Sequence, residues 1–246
     1  SWLATVGSTD ASKDAAIAGI DSAISSAVAA GDAASGSSYT LTTAVDSVVG
    51  SAGNDTIVGT LLATGSTFTV ADTISGGNGT DTVTISSSGT SNSISAVTIT
   101  EVETLKVIDA ATTKTTIDAL SFSGLSTLKV EGSTGTELQI DNLGNVVALE
   151  LTSNLGSGDI VDINYSAAAT TGSADAQSIT TNSSAATVEL AGMESASITT
   201  AGSASTIILT DASTTDVLAT VTVAGSGDLP LTGTGSTAVT TCLLYT

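Results

Sequence analysis

The residues in this chain best suited to chemistry are aspartates set in glycine turns. Asp46-Ser-Val48-Val-Gly50-Ser-Ala-Gly53-Asn54-Asp55-Thr-Ile57 returns 26 residues later as Asp72-Thr-Ile74-Ser-Gly76-Gly77-Asn78-Gly79-Thr-Asp81-Thr-Val83. Each copy holds an Asp-x-aliphatic triplet, a glycine-rich turn and a second such triplet nine residues after the first. Glycines turn backbone carbonyls in directions closed to other residues. Carboxylate, amide and carbonyl oxygens brought together in this way are ligands for a hard cation such as Ca²⁺. The candidate ligand turns hold Gly53, Asn54 and Asp55, then Gly76, Gly77, Asn78, Gly79 and Asp81, with Asp46 and Asp72 at the preceding acidic positions. The plainer reading of each aspartate is a turn residue that bonds its own backbone.

Such turns need strands on either side. Gly76 to Thr84 fits G-G-x-G-x-D-x-aliphatic-x at every position, whereas Gly50 to Val58 has Ser51 for the second glycine. That nine-residue signature belongs to calcium-binding β-helix repeats, in which the closing x-aliphatic-x forms a short strand with its aliphatic side chain in the core. The copies align at Asp46/Asp72, Val48/Ile74, Gly50/Gly76, Gly53/Gly79, Asp55/Asp81 and Ile57/Val83. Beyond residue 96 a looser repeat takes over. Val102-Glu-Thr-Leu105-Lys-Val107 returns as Leu125-Ser-Thr-Leu128-Lys-Val130 and as Val146-Val-Ala-Leu149-Glu-Leu151, with a fainter echo at Met193-Glu-Ser-Ala-Ser-Ile198. An aliphatic-x-aliphatic strand recurring in this way is what stacked rungs require, because one rung is buried only when the next covers it.

Composition agrees with thin β layers. Serine and threonine supply 82 of the 246 residues, and only six aromatics are present, so Val, Ile, Leu and Ala must fill the core. Twenty-four acids against four lysines give a net charge of −20, a balance that repels phosphate backbones and argues against nucleic-acid binding. Histidine is absent and cysteine occurs once, at Cys242, which removes histidine-based triads and most zinc chemistry. Glu101 with Glu103, or Asp159 with Asp162, form pairs of the kind glycosidases use, but the chain is poor in the aromatic and basic groups that hold sugar. These pairs read as solvated acids on strand edges, and the chain as a non-enzyme. No stretch reads as a membrane span, since Ala15 to Ala30 is broken by Asp21 and three serines.

The pattern predicts an all-β, β-solenoid or β-roll-like fold with one short N-terminal helix. The helix is expected over about 10–30, with Ile17, Ile20, Ile24 and Val28 as a narrow apolar stripe that packs on the solenoid end or on a neighbouring subunit. Four segments follow: 1–38 with the helix and a Gly/Ser linker, 39–96 with the glycine turns, 97–227 with the solenoid repeats, and a tail over 228–246 that holds Pro230, the rungs being expected to end near Gly227. The apolar termini, with Trp2, Leu3 and Val6 at one end and Leu243, Leu244 and Tyr245 at the other, are candidates to add as strands to an adjacent subunit.

On the glycine turns of about 39–86, the chain resembles the repeats-in-toxin (RTX) calcium-binding proteins. With the later Val-Glu-Thr-Leu-Lys-Val strands, residues 39–223 resemble bacterial surface-layer (S-layer) proteins of the RTX-related kind. The resemblance implies Ca²⁺ as cofactor, type I secretion to the cell surface, and self-association into a lattice or biofilm-matrix filament, with cell-surface polysaccharide as a further partner. The competing expectation is an adhesin or passenger region of a large secreted surface protein.

Overall fold

The computed structural model describes residues 10–90, 92–132, 137–152, 155–201, 205–211, 217–225, 231–234 and 241–244. One helix, α1 (Asp10–Ala34), precedes a run of strands. The first rungs use β1 (Ser38–Thr40), β2 (Ser47–Val49), β3 (Thr56–Leu62), β4 (Thr73–Ser75), β5 (Thr82–Gly89), β6 (Asn92–Ile94), β7 (Thr98–Thr100) and β8 (Thr104–Ala111). The chain then alternates between two faces through β9 (Thr115–Asp118), β10 (Thr127–Glu131), β11 (Glu137–Leu143), β12 (Ala148–Leu151), β13 (Asp159–Tyr165) and β14 (Ala176–Thr181). It ends with β15 (Ala185–Leu190), β16 (Ser195–Thr200), β17 (Thr206–Asp211), β18 (Thr220–Gly225), β19 (Leu231–Thr234) and β20 (Thr241–Leu244).

Among the described residues the strands form three sheets, and every pairing is parallel. The longest has ten strands in the order β1-β3-β5-β8-β10-β12-β14-β16-β18-β20. A second has seven, β19-β17-β15-β13-β11-β9-β6, and a third has three, β2-β4-β7. The architecture is therefore the expected β-solenoid. The short third sheet belongs to the first rungs alone, where each glycine turn joins a strand of that sheet to one of the long sheet.

Stacking explains the sequence repeats. On the long sheet Ile57, Val83, Leu105, Leu128, Leu149, Ile179, Ile198 and Val223 are successive register partners, and all eight are buried. Facing them, Ile117, Ile140, Ile163 and Leu190 make a second column on the seven-stranded sheet. Fully burying one such side chain is worth roughly 1.5–3 kcal/mol. The side-chain period of two along a strand keeps each column on its own face.

The repeat Val102-to-Val107 and its two close copies lie in register, with Leu105, Leu128 and Leu149 on adjacent strands. The echo at Met193 reaches the same sheet but sits two residues out, so that Ile198 falls in the Leu105 column rather than that of Val107. A shift of two leaves every side chain on its proper face, which is why the pattern survives it.

The ten-stranded sheet passes residue 96 without interruption, so the glycine turns and later repeats share one core. The ladders also run past Gly227. β19, directly after Pro230, pairs with β17, and β20 with β18. Leu243 and Leu244 therefore pair within their own chain, opposite Thr222 and Val223, while Trp2, Leu3, Val6 and Tyr245 lie outside the described residues.

The helix is longer than expected, and its stripe is not folded onto the solenoid. Ile17, Ile20 and Ile24 stand 55, 42 and 55% exposed; the Val28 side chain lies outside those described. Residues 35–37, read as part of the Gly/Ser linker, are stitched to the first glycine turn. The Ser35 carbonyl accepts the Ser51 hydroxyl at 3.2 Å, and the Ser37 N–H donates to Asp55 at 2.5 Å. No described helix is long and apolar enough to cross a membrane.

Candidate cation site at the glycine-turn corner

The two glycine turns lie directly on one another. Val48 pairs with Ile74 and Ile57 with Val83, which fixes the intervening turns in the alignment read from sequence. Gly50 N–H donates to the Ser75 carbonyl at 2.8 Å, and Gly76 N–H to the Thr100 carbonyl at 3.0 Å. The backbones touch so closely that a Cβ on Gly79 would sit 2.6 Å from the Gly53 carbonyl oxygen, and one on Gly77 2.4 Å from that of Ser51. Both positions also have positive φ, +133° and +91°, so glycine is required twice over. The Asn54 side chain accepts the Thr80 N–H at 2.9 Å, another link between rungs, while Asn78 is exposed at the turn tip.

The acids form a ladder of their own, in which a carboxylate on one rung accepts a backbone N–H from the rung before. Asp46 N–H donates to Asp72 at 2.9 Å, Asp55 N–H to Asp81 at 2.7 Å, and Asp81 N–H to Glu103 at 2.7 Å. Three of the four aspartates are fully engaged. Asp46 also accepts the Thr42 N–H and hydroxyl. Asp72 accepts the same two groups of Thr69, at 2.6 and 2.9 Å. Asp55 accepts the Ser37 N–H, the Ser51 N–H and the Ser51 hydroxyl. These three behave as turn-closing residues that also lock neighbouring rungs.

Asp81 differs. It is 0% exposed, its Oδ1 accepts the Asp55 N–H, and its Oδ2 is buried without a hydrogen-bond partner. A buried acceptor left unpaired costs roughly 1–3 kcal/mol, and more when charged. In the first copy the matching Asp55 Oδ2 accepts the Ser51 N–H at 2.5 Å, while the Ser51 hydroxyl bonds Oδ1 at 2.8 Å. Gly77 stands in the place of Ser51 in the second copy and brings no hydroxyl to the turn.

The charges follow the same division. Burial works to raise the Asp55 carboxyl, yet the bonds from Ser37 and Ser51 outweigh it and hold the group below the usual range. Burial is also the largest influence on Asp81. There the Asp55 N–H alone opposes it, and the charges of Asp55, Glu103 and Glu101 push the carboxyl further up.

The third rung supplies the floor of this corner. Six residues separate β4 from β5, whereas three, Glu101 to Glu103, separate β7 from β8. The shortened corner needs a sharp bend, and Glu101 takes it with φ +53°, a strained value for a residue with a Cβ. Glu101 accepts the Ser75 hydroxyl at 2.7 Å. The Glu101 carbonyl and Asp81 both close on Gly76, since a Cβ there would be 1.9 Å from that oxygen and 2.5 Å from Asp81 Oδ2. Sequence reasoning took Glu101 and Glu103 only as an enzyme pair to be dismissed. The signal for their real position was present: Asp55-Thr-Ile57 and Asp81-Thr-Val83 are followed by Glu103-Thr-Leu105.

The residues present therefore fit a cation at Asp81, whose free oxygen faces an acidic corner with no basic group bonded to it. At Asp46, Asp55 and Asp72 each carboxylate oxygen already accepts at least one protein donor. Among the described residues, no three acids converge into a ready-made metal cage. All three lysines of the solenoid are engaged elsewhere, Lys106 with Glu131 at 2.9 Å, Lys129 with Glu150 at 3.7 Å, and Lys114 with Glu137.

The other acidic pair is corrected by burial. Asp159 and Asp162 are 3 and 8% exposed, not solvated. Asp159 accepts the Gly156 N–H at 2.6 Å, and Asp162 accepts the Asn164 amide at 3.1 Å. Burial, followed by the nearby Glu137 and Asp141, pushes the Asp162 carboxyl up against the Asn164 bond. Comparison with protein-family models and with curated proteins finds no match.

Proposed function

We propose that the chain is a non-enzymatic structural subunit that works outside the cell, organised by calcium and assembling with copies of itself into a sheet or filament. The observation that carries this reading is the pair of glycine turns stacked in register, with the buried Asp81 oxygen left without a partner between them and an acidic corner. A calcium ion supplies the positive charge that this part of the chain lacks. The extracellular setting suits it, because modules outside cells bind calcium with Kd of about 10⁻⁴–10⁻³ M, a range suited to sites with few ligands.

Self-association is supported by two surfaces at the N-terminal end. Among the described residues no strand pairs with the outer edge of β1, and natural proteins cover such an edge or join it to a neighbour. The Ile17, Ile20 and Ile24 stripe of α1 is exposed beside a linker whose contacts tie it to the first turn. Secretion and placement at a cell surface follow from the same reading.

The test is electron microscopy of the purified chain in millimolar Ca²⁺ and again after chelation. Ordered sheets or filaments that disperse with the chelator are expected. Separate particles under both conditions would overturn the assembly reading.

A further inference from the structure

We infer that Asn78 is a self-modifying site, at which the Gly79 backbone nitrogen attacks the Asn78 side-chain amide and converts this asparagine to aspartate and isoaspartate as the protein ages. The inference is independent of calcium. It rests on a conjunction that the second glycine turn alone provides.

Asparagine is among the thermolabile residues. Glycine follows it once in the chain, at Asn78-Gly79, and glycine has no side chain to crowd its own nitrogen. The first copy has Ala52 before Gly53 and so no amide to react. Asn78, Gly79 and Thr80 are all exposed, which admits water to the turn tip. Asn78 is also the one described asparagine whose side chain bonds to no described residue. Asn54 accepts the Thr80 N–H at 2.9 Å, Asn142 donates to Asp118 at 2.9 Å, and Asn145 donates to the Leu125 carbonyl at 2.6 Å. Asn164 donates to Asp141 at 3.0 Å, buried Asn92 donates to the Ser88 carbonyl at 3.0 Å, and Asn182 accepts the Ser183 hydroxyl at 3.4 Å. The Gly79 N–H likewise has no acceptor among the described residues.

Both reacting atoms belong to adjacent residues, so a turn of the unbonded Asn78 side chain brings them together. A bond forms between the Gly79 nitrogen and Asn78 Cγ, the Cγ–Nδ2 bond breaks, and ammonia leaves with the proton that the Gly79 nitrogen gives up. Water then opens the cyclic imide. Breaking the new bond leaves aspartate on an unchanged backbone. Breaking the original peptide bond leaves isoaspartate, whose backbone runs through the side chain and is longer by one atom. The stacked turns have no room for it, since even a Cβ on Gly79 would lie 2.6 Å from the Gly53 carbonyl oxygen. Isoaspartate therefore parts the two glycine turns.

Ageing the purified whole chain in mildly alkaline buffer, followed by peptide mass mapping, tests this. The Asn78 peptide is expected to show the mass of amide-to-acid conversion in two separable products. Its rate should exceed that of the other asparagines by about tenfold or more, because holding reacting atoms out of attack geometry costs orders of magnitude in rate. The rate should fall in mildly acidic buffer, since the attacking nitrogen must lose its proton. Aged wild type should melt below fresh protein, whereas Asn78→Gln, which cannot close the same ring, should keep its mass and Tm. An Asn78 that reacts no faster than Asn54 or Asn182 would overturn the inference. Modified protein with the Tm of fresh protein would overturn its effect on the stacked turns.

Discussion

Gly76→Ala is expected to destabilise the chain by about 1–3 kcal/mol or more, the range seen when atoms are forced into filled space. The added methyl would lie 1.9 Å from the Glu101 carbonyl oxygen and 2.5 Å from Asp81 Oδ2. The carbonyl belongs to backbone, and its rung is fixed on both sides by β7 and β8. The clash is therefore relieved only by parting the second and third rungs. That opening breaks the Gly76–Thr100 ladder bond and moves Asp81 away from Glu103. The control is Gly144→Ala, where nothing lies within 4 Å of the new atom and φ is not positive. Thermal unfolding should show a lower Tm for the first variant and almost no change for the second. Equal Tm values for both would mean the rungs are not in contact at this corner.

Leu128→Ala is expected to cost about 2–5 kcal/mol, the usual range for emptying a buried leucine site. Leu128 is 2% exposed and stacks between Leu105 and Leu149. Parallel ladders hold its strand on both edges, so the neighbours cannot close in on the gap. For a chain of this size, each kcal/mol shifts Tm by about 2–4 °C. Leu120, 70% exposed, provides the comparison, and Leu120→Ala should leave Tm nearly unchanged. Because each rung touches only its neighbours, amide exchange should rise most in β8, β10 and β12. A uniform rise throughout the chain would argue for a single indivisible unit instead.

Much of this fold is legible in the sequence, for a definite reason. Parallel stacking places identical positions over one another, so the spatial column Val83, Leu105, Leu128, Leu149 is also a written repeat. The glycine turns could be aligned residue by residue because Gly77 and Gly79 touch the backbone of the turn before. Legibility fails where neighbours replace pattern. Nothing in the word Asp55 distinguishes it from Asp81; both accept an N–H from the rung before on Oδ1, and the difference lies in the two bonds that Ser51 donates to Asp55 alone. The role of Glu103 was hidden because the third rung loses part of its turn and breaks the nine-residue beat. Pro230 looked like an end because proline lacks a ladder donor, yet it merely precedes β19. The helix stripe showed an apolar face but not whether it would be covered, and Ile17, Ile20 and Ile24 stand exposed.

The account turns on one ion compensating Asp81, and thermal unfolding in Ca²⁺ and in chelator measures that directly. A ligand at 100 times its Kd stabilises the folded state by about 2.7 kcal/mol. The wild type is therefore expected to melt roughly 5–10 °C higher in saturating Ca²⁺ than in chelator. Asp81→Asn keeps an oxygen for the Asp55 N–H but loses the charge, and its Tm should be the same in both. A wild-type Tm that does not move when calcium is added or withdrawn would contradict the account.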